Sequence, residues 1–365
     1  MDLKLSEIAE LRLYSHRISK IQNKNPGEVV AWLGALQGQD YFGTKWSIGL
    51  RLTNSKDVEI EKAISQKRIV RSWPLRGTLH FTDAKDLRWM LDLLGPKLIR
   101  NNTKRYEELE LDSSIFKKCN QLMIRELKGN KSLTREELTD LFSKAGIDAT
   151  KNRLSFILQK AGLEKILCFG ERREKEFTYV LLDEWLGEAE TKTKTSEEAL
   201  NELAIRYFRS RGPATIFDFI WWSGLNASDA KKALDGVVSK LKSEVVDDQT
   251  YWMSKNLRDS TFADSVKDDV YLLPGFDEFL LGYTDRGASI DVAYQKRMIP
   301  ANGVFSATIV VSGKVIGTWK RTFKKDHVLI EIFPFSKPNG KIKDKILEAA
   351  ERYSSFLELP SKIVF

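Results

Sequence analysis

The chain has 365 residues, of which 42% are hydrophobic, with nine Trp and nineteen Phe, so it has ample material for more than one core and global disorder is excluded. Lys and Arg number 59 against 51 Asp and Glu, and the net charge of +8 favours an anionic partner, nucleic acid or a membrane surface. Cys119 and Cys168 lie far apart, with only three histidines to assist them, which argues against a disulfide framework or a Cys/His zinc site.

The N-terminal segment is charged throughout and lacks an apolar signal core, and no run approaches the ~18 apolar residues of a membrane span. The expectation is a soluble, cytoplasmic protein of a reducing compartment. Residues 5–21 repeat apolar positions at helical spacing (Leu5, Ile8, Leu11, Leu13, Ile18). Asn25, Pro26 and Glu28 then read as the cap, first turn and capping box of a second helix, which is expected to run through Leu36. A third helix over 57–66 leads into "RIVRSWPLRGTLHFT", which reads as strand, turn, strand, rich in Arg68, Arg71 and Arg76. A helix starting at Thr82 or Asp83 is predicted to stop at Gly95-Pro96.

The same cadence returns twice. Thr134 with Glu137 in box position, a turn at Gly146 and a second helix precede "KILCFGERREKEFTYVLL", a hairpin with a charged tip carrying Arg172 and Arg173. Then "GPATIFDFIWWSGLNASDAKKALDGVVSKL" repeats it, with the short hairpin "SEVVDDQTYWMS" following. Helices followed by a basic hairpin are the sequence form of a winged helix. "GEAETKTKTSEE" is the expected linker. Beyond about residue 256 strand patterns dominate, "SGK" makes a hairpin turn, and a helix over 340–356 precedes a last strand. The expected fold class is α+β: three tandem winged-helix domains over 1–110, 111–190 and 195–256, then a small antiparallel β-barrel or sheet with a C-terminal helix over 257–365.

Gln37-Gly38-Gln39, followed by Asp40, places two neutral amides where a helix end needs only a turn. Read alone, such a tripeptide is a solvated terminus or a local backbone hydrogen-bonding device. The other reading is a site that holds water against something already positively charged. Residues i and i+2 share a face only in extended chain, so that reading requires the helix to end by about Gln37.

"LGALQGQD", "RSWPLRGTLHF", "DLRWMLDLLGP", "GPATIFDFIWWSGL", "LLPGFDEFLLGYTDR" and "NGVFSATIVVSGKVIGTWKR" together resemble, in the same order over about residues 8–325, the AlkZ/YcaQ-like winged-helix DNA glycosylases. The resemblance implies a bacterial repair enzyme that cleaves the N-glycosidic bond of alkylated purines and unhooks interstrand crosslinks. The family's active-site pattern of glutamine, apolar residue, glutamine falls on Gln37 and Gln39, with Gly38 departing from a larger apolar residue in the middle. The partner implied is double-stranded DNA, which would make the protein nucleoid-associated, with no cofactor, no metal and no membrane; nothing in the sequence demands an oligomer, so a monomer is expected. The chemistry is coherent without a general acid. A purine alkylated at N7 or N3 is cationic and leaves unaided, so oriented carboxamides need only position water and stabilise an oxocarbenium-like transition state.

Asp40 could polarise that water, and His80 could help position water or phosphate, although a structural histidine fits the same pattern. Arg68, Arg71, Arg76, Arg172 and Arg173 are the expected DNA-backbone contacts, set against the reading of solvated hairpin charges. Trp73-Pro74 reads as packing in preference to a lesion wedge, and one of Trp221 and Trp222 is expected to be exposed. Asp277 and Glu278 would suit a metal or acid/base pair, but without a wider ligand set they read as a junction between segments. The alternative function is a non-enzymatic DNA-binding protein, a regulator or lesion sensor. The acidic start of "VEIEKAISQKR" offers such a regulator little base-reading chemistry.

Overall fold

The computed structural model describes residues 3–187, 194–257, 269–298 and 303–365. Residues 188–193 of the expected linker lie outside the described residues. The chain begins with α1 (Leu5–Ser15), α2 (Pro26–Leu33), β1 (Ala35–Gln37), α3 (Tyr41–Gly49) and α4 (Asp57–Ser65), followed by the hairpin strands β2 (Ile69–Leu75) and β3 (Thr78–Asp83). Then come α5 (Ala84–Asn101), α6 (Thr103–Glu108), α7 (Ser113–Leu127), β4 (Leu133–Thr134), α8 (Arg135–Lys144), α9 (Arg153–Leu163), β5 (Leu167–Phe169), β6 (Thr178–Leu181) and α10 (Leu182–Leu186). A further helical run, α11 (Ser196–Arg211), α12 (Ile216–Ser223) and α13 (Ala227–Asp235), ends in β7 (Leu241–Val246) and β8 (Gln249–Ser254). The chain closes with β9 (Val270–Leu273), α14 (Glu278–Leu281), α15 (Val292–Met298), β10 (Thr308–Val311), β11 (Lys314–Phe323), β12 (Val328–Pro334), α16 (Gly340–Leu357) and β13 (Ser361–Val364). Helix and sheet are mixed throughout, and the chain forms two compact units, one of residues 1–61 with 200–365 and one of residues 62–199.

In the unit of residues 62–199, β2 and β3 pair antiparallel, with Leu75 opposite Thr78 across the two-residue turn. Arg76 (φ 53°) and Gly77 (φ 68°) both take positive φ, as the turn matching strand twist requires. Trp73 packs against Phe169 with ring centroids 5.1 Å apart. A Cβ at Gly162 would come within 2.5 Å of the Trp73 ring, so Trp73-Pro74 belongs to the core and is no wedge. β4, β6 and β5 form an antiparallel sheet in that order beside α7, α8 and α9. Thr134 and Glu137 make the reciprocal capping box that opens α8. Contrary to expectation, Gly95-Pro96 does not stop α5, which continues to Asn101 with Pro96 inside it. Gly95 lets α9 approach closely, since a Cβ there would lie 2.9 Å from the Leu163 carbonyl oxygen, and that packing sustains the helix through the proline.

In the other unit, of the expected antiparallel barrel or sheet, the structure forms the sheet: it is open and five-stranded, of order β13-β12-β11-β10-β9. Its last pair, β12 with β13, is parallel. The cause is the connection: α16 carries the chain back across the sheet, as parallel neighbours require. The Ser312-Gly313 hairpin joins β10 to β11, both residues at positive φ. Trp46 of α3 fits against this sheet. Its Nε1 donates to the Leu272 carbonyl at 2.7 Å, and its ring meets Tyr353 and Phe356 of α16 at 5.0 and 5.1 Å. The helix that follows the glutamine segment is thereby anchored in the C-terminal sheet.

Candidate active site

The helix expected to reach Leu36 ends three residues earlier, at Leu33, because Gly34 turns the chain at φ 74°. Residues 35–37 continue as the short strand β1, so Gln37 leaves the helix in extended chain, the geometry in which alternate side chains share a face. The two amides meet: Gln37 Nε2 donates to Gln39 Oε1. They differ in setting, Gln37 being 7% exposed and Gln39 facing solvent.

The backbone beneath them is held from three directions. Gln37 N–H donates to Glu278 Oε1 at 3.2 Å. Thr44 Oγ1 lies 2.7 Å from the Gln37 carbonyl oxygen and 2.8 Å from that of Asp40, bridging the segment to α3. Asp40 caps α3, its Oδ1 accepting from Gly43 N–H at 3.0 Å, and both its carboxylate oxygens lie 2.6 Å from Arg321 Nη2. Those contacts occupy the carboxylate, so Asp40 sits in the segment as a cap and ion-pair partner.

Asp277 and Glu278 are buried, and each takes a buried arginine rather than a metal. Among the described residues no cluster of three or more His, Cys, Asp or Glu is placed to hold an ion. Glu278 Oε2 accepts from Arg211 Nη2 at 2.7 Å and from Trp222 Nε1 at 2.9 Å, while Arg211 Nη1 donates to Leu33 O at 2.8 Å and its Nη2 to Ala35 O at 3.1 Å. The arginine therefore ties the end of α2 and the start of β1 to the same carboxylate that holds Gln37. Trp222 is fully buried there, and Trp221 is 46% exposed. Asp277 pairs with Arg51 at 2.9 Å and accepts from Ser47 Oγ at 2.6 Å. Burial pushes the Asp277 carboxyl upward, but the Arg51 charge and hydrogen bonds from Arg51, Ser47 and the Phe279 amide outweigh it and hold its pKa below the ordinary value. His16, whose Nε2 is 2.9 Å from Tyr283 OH, is pushed well below the usual histidine range by burial first and by Arg51, Arg211 and Arg12 second. It is a neutral, structural imidazole.

The remaining candidates belong to the unit of residues 62–199. His80 is fully buried on β3 opposite Ser72, and its Nδ1 donates to the Thr78 carbonyl at 2.9 Å, so within its unit it is a packed strand residue. Arg71 departs from the expected exposed hairpin charge. It is 6% exposed, its guanidinium lying 4.5 Å from the Phe169 ring and 4.4 Å from that of Phe177. Stacking on aromatic faces explains how a strand facing the core tolerates that charge. Arg68 is exposed and bonded to Gln66, and Arg76 is half-buried at the hairpin turn. Arg173 reaches Glu137 at 2.7 Å and the Ser132 carbonyl at 2.9 Å, and Arg172 Nη2 donates to the Lys175 carbonyl at 2.9 Å, so both brace the tip of their hairpin. Cys119 and Cys168 are free and buried, and burial raises the Cys119 thiol to about 11, which leaves it inert.

Glu278, Arg211, Thr44 and Arg321 had no place in the sequence-based site. Only Glu278 carried a signal, as one of two adjacent acids, with Asp277, inside the largely apolar "LLPGFDEFLL".

The class to which this chain belongs is that of the AlkZ-like DNA glycosylases. The model of that family matches residues 30–356, and the chain belongs to it; as a member it is an enzyme, a DNA glycosylase. A relative, the interstrand DNA cross-link repair glycosylase of Streptomyces sahachiroi, is 23% identical over 354 residues, covering 92% of this chain and 93% of the relative. The solved structure of the Streptomyces sahachiroi DNA glycosylase AlkZ matches with a TM-score of 0.80 at 20% identity over the full length of both chains, a likeness of fold. No described helix is long and apolar enough to cross a membrane.

Proposed function

We propose that this protein hydrolyses the N-glycosidic bond of cationic alkylated purines in double-stranded DNA, of the N7-alkylguanine and N3-alkyladenine type, including those that form interstrand crosslinks. The observation that carries the reading is the joined carboxamide pair of Gln37 and Gln39, one buried and pinned, the other open to solvent. Gln37 sets the direction of Gln39, and together they offer both a carbonyl acceptor for water and an NH2 donor for a sugar or phosphate oxygen. Fixed dipoles of this kind stabilise developing positive charge at C1′ without reorganising as the reaction proceeds. The departing base already bears its charge, so no acid is required. Asp40 then acts through position, as a cap that carries the segment, and His80 supports its strand.

In the same reading, the three helix-then-hairpin segments over 1–110, 111–190 and 195–256 are winged helices, and 257–365 is the β-rich domain that carries Glu278 and Arg321. The β4-β6-β5 sheet with α7, α8 and α9 supports this for the second segment. Exposed Arg68, with Arg76, Arg172 and Arg173 at hairpin tips, supplies phosphate contacts that set register without reading sequence. The protein works in the cytoplasm at the nucleoid, as a monomer and without metal.

The experiment is release of N7-methylguanine from methylated duplex DNA in the presence of a chelator. Wild type should release the base. Replacing both Gln37 and Gln39 by Ala should lower the rate by at least about a hundredfold, the loss typical of removing oriented dipoles, with duplex affinity retained. Unchanged release by the double variant would sink the assignment.

A further inference from the structure

We propose that Phe42 and Phe323 form a stacking platform for a nucleobase that has left the base stack beside the glutamine pair. Phe42 is the second residue of α3, three positions after Gln39, and is 40% exposed; Phe323 ends β11 and is 43% exposed. Their rings meet at 5.6 Å between centroids with an interplanar angle of 55°, and Tyr41 sets its ring edge-on to Phe42 at 5.6 Å. The Asp40–Arg321 ion pair joins the same two elements two residues before each phenylalanine.

Two large rings side by side at a surface are costly to hydrate, and an ill-packed region would explain them. Here both stand on rigid supports. α3 is anchored through Trp46, and β11 is the central strand of its sheet, with Trp319 Nε1 donating to the Leu273 carbonyl at 2.8 Å. The rings are therefore exposed by construction. Lys324 and Lys325 follow Phe323 immediately and are exposed, in a turn closed by the Lys324 N–H donating to the His327 carbonyl at 2.9 Å. Aromatic faces beside lysines match a polyanion whose bases have accessible π-faces, which is how sequence-tolerant platforms take unstacked bases. In an intact duplex every base face is covered, so the platform selects DNA in which a base has been displaced.

This inference rests on DNA being the substrate, and it is tested without catalysis. Binding of wild type, Phe42→Ala, Phe323→Ala and the double variant is measured by fluorescence anisotropy on a short unmodified duplex and on the same duplex with one bulged adenine. Phe42→Leu/Phe323→Leu keeps apolar bulk but removes the rings, and thermal unfolding monitors folding. The expected result is tighter binding of the bulged duplex by wild type and loss of that preference by about tenfold in both double variants, with binding of the paired duplex little changed. Retention of the preference by the Leu variant would assign the surface to apolar contact with sugars and overturn stacking. Equal affinities of wild type for both duplexes would also overturn it, as would a wild-type dimer in sedimentation that the Ala variants disperse. If wild type binds neither duplex, the DNA reading itself falls; if it binds both and the glutamine variants still excise, the catalytic assignment falls while the platform stands or fails on its own preference.

Discussion

Glu278 holds the backbone of Gln37 by accepting its N–H at 3.2 Å, although the two residues are 241 positions apart in the chain. The same carboxylate neutralises Arg211, which in turn bonds the carbonyls on either side of the Gly34 bend. One buried ion pair thus fixes where the helix stops, where the strand starts and where the first glutamine points.

Removing one member of that pair should be severe. Glu278→Ala leaves Arg211 buried without its counter-charge, a change that costs about 3–5 kcal/mol in comparable settings. A large fall in the urea midpoint is the expected outcome, with excision reduced even where the variant remains folded. A midpoint within error of wild type would show that Glu278 does not carry the segment.

Gly34 tests the bend directly. At φ 74° a side chain is strained, yet the nearest atoms to an added Cβ are 3.8 Å away, so steric collision plays no part. Gly34→Ala should cost about 1–3 kcal/mol through the backbone alone, and excision should fall because the Gln37 direction depends on the bend. Chemical denaturation and the release assay read the two effects separately.

Asp40 separates capping from ion pairing. Asp40→Asn keeps a cap acceptor for Gly43 N–H but loses the charge facing Arg321, whereas Asp40→Ala loses both. The Ala variant should be less stable than the Asn variant by about 1 kcal/mol, the usual worth of an N-cap. Both should retain measurable base release. Loss of release in Asp40→Asn as complete as in the double glutamine variant would promote the carboxylate to a catalytic role.

Acid should destabilise the fold in a defined window. The folded pKa of His16 is depressed, so below its ordinary value of 6.5 the unfolded chain takes up a proton that the folded chain refuses. Stability therefore falls with pH from about 6.5 downward, by at most ~1.4 kcal/mol per pH unit from this residue. The depressed Asp277 carboxyl adds a second loss at lower pH, as its stabilisation, present above its ordinary value of 3.8, disappears through the folded pKa. Urea midpoints measured between about pH 7 and pH 5 should show the first loss, and His16→Gln should flatten that slope.

The hairpin arginines divide by burial. Arg71→Ala should lower stability, since its guanidinium lies between the Phe169 and Phe177 rings, while Arg68→Ala should leave stability unchanged. On DNA, Arg68→Ala should weaken binding uniformly across sequences and reduce the salt slope by about one. An Arg68 variant with an unaltered salt dependence would remove it from the interface.

Much of the architecture was legible from local pattern. Capping residues such as Thr134 with Glu137, the Arg76-Gly77 and Ser312-Gly313 turns, and the helix-then-hairpin cadence act over a few residues, so neighbours in the chain suffice to read them. The glutamine tripeptide stood out too, although read alone it was a helix end, and the family resemblance made it a candidate site. What sequence could not disclose is whatever depends on residues brought together across long separations. Arg71 looked like a surface charge until two rings from another hairpin covered it. Pro96 looked like a helix stop until α9 packed against Gly95. Asp277 and Glu278 read as a junction between segments, but nothing local showed that each would meet a buried arginine. The sheet looked antiparallel throughout until α16 returned the chain beside β12. By itself the sequence determined most of the elements, their order and the candidate amides, because backbone propensity and side-chain chemistry are local. Only the tertiary structure decided which charges are buried, what pins Gln37 and which rings face solvent, because burial and pairing are set by neighbours distant in the chain.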